Sequence, residues 1–178
     1  SISLPSLSVA AAQMVVRTAG AYATVREQFG LPIGRFEGIE EPLARIGGYT
    51  YLMDAARKIT SGAVDAGEKP AVLSAIIKAY CTDAMRLVVN DGMDIQAGAG
   101  ICRGPRNILG RSFAAVPIGI TVEGANILTR SMIIYGQGAI RAHPFVHDEM
   151  EAANTGDIPR FDTALFGHIN LVHSNAIR

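Results

Sequence analysis

Apolar positions recur every three or four residues along most of this chain, the period of a helix with one buried face. Leu7, Ala11, Met14, Thr18, Tyr22, Val25 and Phe29 step in this way and predict a helix over 6–28, stopped by Gly30-Leu31-Pro32. A second helix is predicted over 39–66, with Leu43, Ile46, Leu52, Ala56, Ile59 and Ala63 along one face. Gly47-Gly48 lies inside it. Each of these glycines costs about 1 kcal/mol relative to alanine, and the pair reads as room for close helix packing. Gly67-Glu-Lys-Pro70 ends that helix and starts a third over 70–95, through Leu73, Ile76, Ile77, Tyr80, Ala84, Leu87 and Val88. A glycine-rich stretch comes next, and a fourth helix is expected over 122–140. No alternating strand pattern and no repeat of 20–50 residues is visible. Four helices with short joins predict an all-α fold, an antiparallel four-helix bundle.

The character changes after His143-Pro144. Asp148-Glu-Met-Glu151 opens a polar stretch, 154–159 reads as a loop, and 161–178 as a further amphipathic helix. The expected organisation is therefore a bundle over 1–142, then a linker and the start of an additional C-terminal region over 143–178. At 178 residues the chain can bury about 70% of its unfolded surface without a disulfide or metal staple. Hydrophobic residues reach 49% and charged residues 18%, which suits a large core or an apolar subunit contact. Sixteen basic and sixteen acidic residues cancel, leaving no electrostatic footprint for nucleic acid. No apolar run has the length of a transmembrane segment. Cys81 and Cys102 stand in unrelated contexts and read as reduced thiols of a cytoplasmic protein. The chain opens at Ser1 without a signal-peptide pattern and reads as a piece of something longer.

Three places could carry chemistry. Glu123 stands in Thr121-Val-Glu-Gly-Ala-Asn, and the apolar run after it holds no further acid until Asp148. With Thr121 as cap, Glu123 would sit in the first turn of the fourth helix, where the dipole favours an anion. It is either a helix-start residue or a base in a dry pocket, with Gly124 and Ala125 leaving room for something flat beside it. Apolar neighbours would desolvate the carboxylate and strengthen it as a base. The second place is Asp94-Ile-Gln-Ala-Gly98-Ala-Gly100-Ile-Cys-Arg-Gly104. Its third glycine is one place late for the dinucleotide fingerprint, and it comes after a helix rather than a strand. It reads as an interhelical turn or as a backbone concavity for an anion. The third is Arg26-Glu-Gln-Phe29, where an arginine could pair a phosphate while the ring stacks on a base, or merely complement the end of a helix. His143 and His147 have metal spacing, but Pro144 intervenes and no cysteine or third histidine accompanies them, so no metal site is expected.

In their order and spacing these motifs resemble the C-terminal helical domain of the flavin-dependent acyl-CoA dehydrogenases. The likeness covers about residues 2–142 and is closest to the large bacterial fatty-acid β-oxidation branch. It is carried by 32–45 (PIGRFEGIEEPLAR), 67–76 (GEKPAVLSAI), 120–131 (ITVEGANILTRS) and Gly136-Gln-Gly-Ala-Ile-Arg141, with 161–168 (FDTALFGH) resembling the start of that branch's extra region. The resemblance implies that Glu123 removes the α-proton of an acyl thioester while the β-hydride passes to FAD. It implies that the Glu123 N–H, beside Gly124, binds the thioester carbonyl. Arg26 and Phe29 would contact the adenosine-diphosphate half of FAD, with Asp94 and Gly98 reaching the same cofactor from a partner chain. Ala125 stands where relatives often offer a flavin-bonding threonine, and Val122 where many have tyrosine. The implied partners are an acyl-CoA substrate, a second copy in a homodimer or homotetramer, and an electron-transferring flavoprotein. The implied reaction is dehydrogenation to the trans-2-enoyl-CoA, with this fragment inactive alone. The alternatives are an acyl-CoA oxidase or a non-catalytic oligomerisation module of the same fold.

Overall fold

In the computed structural model, which describes residues 2–177, the first helix, α1 (Ser3–Val25), turns small side chains inward. Leu4, Ser8, Ala12, Val15, Ala19 and Ala23 are buried. This face lies beside the predicted one: Ala11, Met14 and Tyr22 only flank the core, while Leu7 and Val25 are exposed. Small residues let another helix approach closely, and α3 (Ala71–Gln96) does so through Gly92. A β-carbon at Gly92 would stand 2.6 Å from Val15 Cγ1 and 3.0 Å from Leu109 Cδ1.

Helix α1 ends at Val25, three residues before its predicted end, because Arg26 turns extended. Glu27–Gln28 (β1) then pairs antiparallel with Leu31–Pro32 (β2), Glu27 opposite Pro32 and Gln28 opposite Leu31. Phe29 and Gly30 make the turn with φ of 55° and 78°, the two left-handed residues that a tight hairpin requires. Strands of two residues are too short for alternation to reveal.

A short 3₁₀ turn (Ile33–Arg35) leads into α2 (Glu37–Asp65). Its fully buried residues are Ile46, Met53 and Thr60, spaced by sevens. Leu52 and Ile59, expected on the core face, are exposed. Gly47 and Gly48 are exposed too, and no atom would lie within 4 Å of a β-carbon at either. The close approach expected there occurs instead at Gly92. Arg45 of α2 grips Asp91 of α3 through two bonds of 2.9 and 2.8 Å.

Helix α3 packs against α1, α2 and α5 (Leu109–Thr121), with the single turn α4 (Gly98–Ile101) between α3 and α5. Helix α5 corrects the expected fourth helix. The helix runs through Gly110, Pro117 and Gly119, and Gly119 rests against Thr82 and Met85. The stretch predicted as one helix over 122–140 is instead irregular to Ala125, then α6 (Asn126–Ile133), a π-helical turn (Ile134–Ala139) and α7 (Ile140–Ala142). The fold is all-α, as expected, apart from the small hairpin.

The chain divides into two compact units, with the division inside α6, between Thr129 and Arg130. In the second unit α8 (Val146–Thr155) packs on α9 (Ile158–Ile177). Only Gly156 and Asp157 separate them, so the expected loop is nearly all helix. The polar stretch at 148–151 belongs to α8, where Arg160 bridges Asp148 (2.7 Å) and Glu151 (2.6 Å). No single described helix is long and apolar enough to cross a membrane.

These contacts set opposite signs for one kind of substitution. Gly47→Ala should raise stability by about 1 kcal/mol, the helix-propensity gain at an open site. Gly92→Ala should lower it by about 1–3 kcal/mol through overpacking against Val15. Thermal denaturation of the two variants checks both signs.

Candidate functional site

Glu123 lies in the break between α5 and α6, not in the first turn of a helix. Thr121 is the last residue of α5 and does not cap α6. Its hydroxyl donates back to the carbonyls of Pro117 (3.0 Å) and Ile118 (3.1 Å). Glu123 and Gly124 then adopt φ of 54° and 89°, which no helix accommodates. For glutamate this conformation costs about 1–3 kcal/mol. The side chain is exposed, and Oε1 accepts a 3.2 Å bond from the hydroxyl of Ser3, in the first turn of α1. The positive end of the α1 dipole therefore faces the carboxylate. Among the described residues, none encloses the Glu123 side chain in the expected dry apolar pocket.

Beneath the break lies a residue that motif and spacing did not single out. Lys78 of α3 is 2% exposed. Its ammonium donates to the carbonyl of Gly124 (2.7 Å), to Asn126 Oδ1 (2.8 Å) and, at 3.4 Å, to the carbonyl of Ile120. Asn126, also buried, donates through Nδ2 to the carbonyl of Ala79 (3.2 Å), Thr82 Oγ1 (2.9 Å) and Asp83 Oδ1 (3.0 Å). Burial pushes the Lys78 pKa down, opposed by the charges of Glu123 and Asp83. Thr129 closes the arrangement: its hydroxyl donates to the Gly124 carbonyl (3.2 Å) and its N–H to that of Ala125 (2.9 Å). The available signal was a lysine inside an apolar run, Ile76-Ile77-Lys78-Ala79-Tyr80.

A second place gathers most of the other predicted residues. Arg26, Phe29, Asp94 and Gly98 line one cleft of about 540 Å³, together with Tyr22 and Phe36. The hairpin after α1 and the end of α3 form its two sides. The family resemblance implies Gly98 and Arg26 acting from different subunits; here a single chain carries both on one cleft. Phe29 is 95% exposed and meets Phe36 edge to face, with ring centres 6.4 Å apart. The glycine run is a turn of helix rather than a loop, entered through Ala97 at φ 47°. Asn107 ties this turn to the start of α5, donating to the carbonyl of Gly100 at 2.6 Å and accepting from the N–H of Gly110 at 2.7 Å. Glu123, Gly124 and Ala125 do not line this cleft. Phe29, Ala97 and Glu123 are the non-glycine residues with positive φ among those described, and all three fall at these two places.

Some of the remaining reactive groups are buried or engaged in contacts. Burial pushes the Cys81 thiol up to about 11, which keeps it protonated. His143 Nδ1 accepts the N–H groups of Phe145 and Val146 at the start of α8, both at 3.2 Å. His168 bonds Glu149 at 2.8 Å. His147 lies with Asp148 and Glu151 in a cluster of ligand atoms within 4.8 Å, but Arg160 occupies both carboxylates.

Known proteins resemble this chain in sequence and in fold. The family model described as "Acyl-CoA dehydrogenase, C-terminal domain" matches residues 2–136. That described as "Acyl-CoA dehydrogenase, C-terminal, bacterial type" matches 140–178. The probable acyl-CoA dehydrogenase FadE10 of Mycobacterium tuberculosis is 24% identical over 152 residues, 80% of this chain and 23% of that protein. The mitochondrial very long-chain specific acyl-CoA dehydrogenase of Mus musculus is 31% identical over 113 residues, 63% of this chain and 17% of that protein. The chain thus spans less than a quarter of the length of either relative. The crystal structure of acyl-CoA dehydrogenase from Geobacillus kaustophilus shares the fold, with a TM-score of 0.73 at 17% identity over 77% of this chain and 36% of that one.

Proposed function

We propose, since this chain belongs to the acyl-CoA dehydrogenase family as its C-terminal helical domain, that the whole protein dehydrogenates a fatty acyl-CoA to the trans-2-enoyl-CoA with Glu123 as base. The observation that carries the reading is Glu123 itself. It is an exposed carboxylate, kept at the surface in a strained conformation by buried groups beneath it. A helix-start residue needs no such support.

In this reading the Glu123 carboxylate takes the proton from the carbon next to the thioester carbonyl. Its own backbone N–H, in the break outside either helix, offers a donor to the thioester oxygen as negative charge develops there. Gly124 has no side chain to block the approach. Bound FAD supplies the two-electron acceptor for the hydride that leaves the β-carbon. The cleft beside the hairpin suits the adenosine-diphosphate half of that cofactor. Phe29 presents an unburied ring, Arg26 a cation, and the turn at Gly98 exposed backbone, the three chemistries that a base and a pyrophosphate require. The apolar enclosure of the base would then come from parts of the whole protein other than this chain. We further propose a homo-oligomer in the cytoplasm, with an electron-transferring flavoprotein as electron acceptor. Exposed Tyr51, Leu52 and Ile59 on α2 support a subunit contact.

Three measurements test this reading. In the full-length protein, Glu123→Gln should slow anaerobic flavin reduction by a fatty acyl-CoA at least ~10²–10⁴-fold, the usual contribution of a general base. A rate near that of the unaltered protein would remove Glu123 from the mechanism. Arg26→Ala combined with Phe29→Ala should yield full-length protein that loses its flavin on gel filtration; full retention of the yellow colour would argue against the cleft. The isolated chain should bind FAD poorly and turn over no acyl-CoA, as read by equilibrium dialysis and by an enoyl-CoA product assay.

A further inference from the structure

We infer that Lys78 is the positioning residue of the Glu123 loop: its buried ammonium, bonded to Gly124 and Asn126, holds the backbone of Glu123 in the left-handed conformation that presents the carboxylate. The inference rests on the reading of Glu123 as the base and adds to it a residue that never touches substrate.

The acceptors around the ammonium are the first link. An ammonium has three donors. Those of Lys78 reach the last turn of α5 at Ile120, the break at Gly124 and the first residue of α6 at Asn126. One group thereby ties both helices and the segment between them to α3. All three of these hydrogen-bond partners are neutral oxygens, and the charges of Glu123 and Asp83 add an attraction to the ammonium. A lysine is not needed merely to fill this space, since an apolar side chain on α3 would fill it without burying a charge. What only a cationic fork of donors can do here is collect three carbonyl-type oxygens that point inward when the chain turns left-handed at Glu123 and Gly124.

The second link is Asn126. Its carbonyl side accepts from Lys78, and its amide side donates to the α3 groups Ala79, Thr82 and Asp83. The start of α6 is therefore fixed to α3 from both ends of one side chain. Glu123 lies between two anchored points, Ile120 and Gly124. Its own side chain is left to face outward, toward Ser3 of α1.

The test uses the full-length flavin-loaded enzyme and reads the single-turnover rate of flavin reduction per bound flavin. Lys78→Met should lower that rate roughly 10–100-fold, as a displacement of a reacting group by about 1 Å does. Its acyl-CoA dissociation constant and flavin content should stay near those of the unaltered enzyme. In a Glu123→Gln background Lys78→Met should cost nothing further, because the lysine acts through the glutamate. A purely structural role would instead lower flavin content and add its loss to that of Glu123→Gln. Should Lys78→Met not accumulate as loaded enzyme, Asn126→Ala should show the same split between rate and affinity. If Glu123→Gln is crippled while the Lys78 and Asn126 variants reduce flavin at the unaltered rate, or if their losses add to those of Glu123→Gln, the inference about Lys78 is overturned and the assignment of the base stands. If Glu123→Gln reacts normally, the base assignment falls and the inference falls with it.

Discussion

One ammonium, sealed between α3 and the α5–α6 break, decides where two helices end and begin. Removing a lysine charge from water costs several kcal/mol in a real protein. That penalty is tolerated here because every donor is met, and no described buried side-chain nitrogen or oxygen lacks a partner. The same bonds offset the strain at Glu123, about 1–3 kcal/mol for a non-glycine residue in the left-handed region. Burial of the charge and strain of the loop are thus two sides of one arrangement. The cation without the loop would lose its 2.7 Å acceptor, the Gly124 carbonyl, and the loop without the cation would keep only the longer bond from Thr129 at that carbonyl.

The packing around α3 makes this arrangement rigid. The small face of α1 and the absence of a side chain at Gly92 bring α1 and α5 close to α3. Thr82 and Met85, one turn and two turns along from Lys78, receive Gly119 of α5. Lys78 therefore rises from a helix fixed on three sides. At the far end of α3 the same rigidity serves the cleft. There Asp94 and Gly98 face the hairpin after α1, and the hairpin's place is set by the α1–α3 contact. One helix supports both candidate places, one toward each end.

Much of the fold was legible in the sequence because helical periodicity is a property of long segments. The predicted spans of α1, α2 and α3 differ from the observed ones by a few residues at their ends. The faces were less legible. Periodicity marks the larger apolar residues, whereas α1 buries alanine and serine, and α2 buries a seam of only three residues. The fourth span failed for a local reason: α5 runs through Gly110, Pro117 and Gly119, with Gly119 where it meets α3, and the chain then breaks at Glu123 and Gly124, inside the span expected to be one helix. The site was legible as motifs, Glu123-Gly124, Arg26 with Phe29, and Asp94 with Gly98. Lys78 and Asn126 were not, since a lysine within apolar neighbours is most often an exposed side chain and only coordinates reveal which way it turns.

Strain is the feature that joins the two candidate places. Phe29, Ala97 and Glu123 hold backbone conformations that L-residues avoid. Phe29 is an aromatic ring left in solvent where Asn-Gly would make the same turn more cheaply. Glu123 is a charged side chain at a position where glycine would relax the loop. A sequence free of other demands would replace both at a gain in stability. Each keeps a costly residue at the surface, one an aromatic ring and the other a carboxylate. That pairing of strain with exposure is the physical ground for reading Phe29 as a ligand contact and Glu123 as a reacting group, independently of any relative.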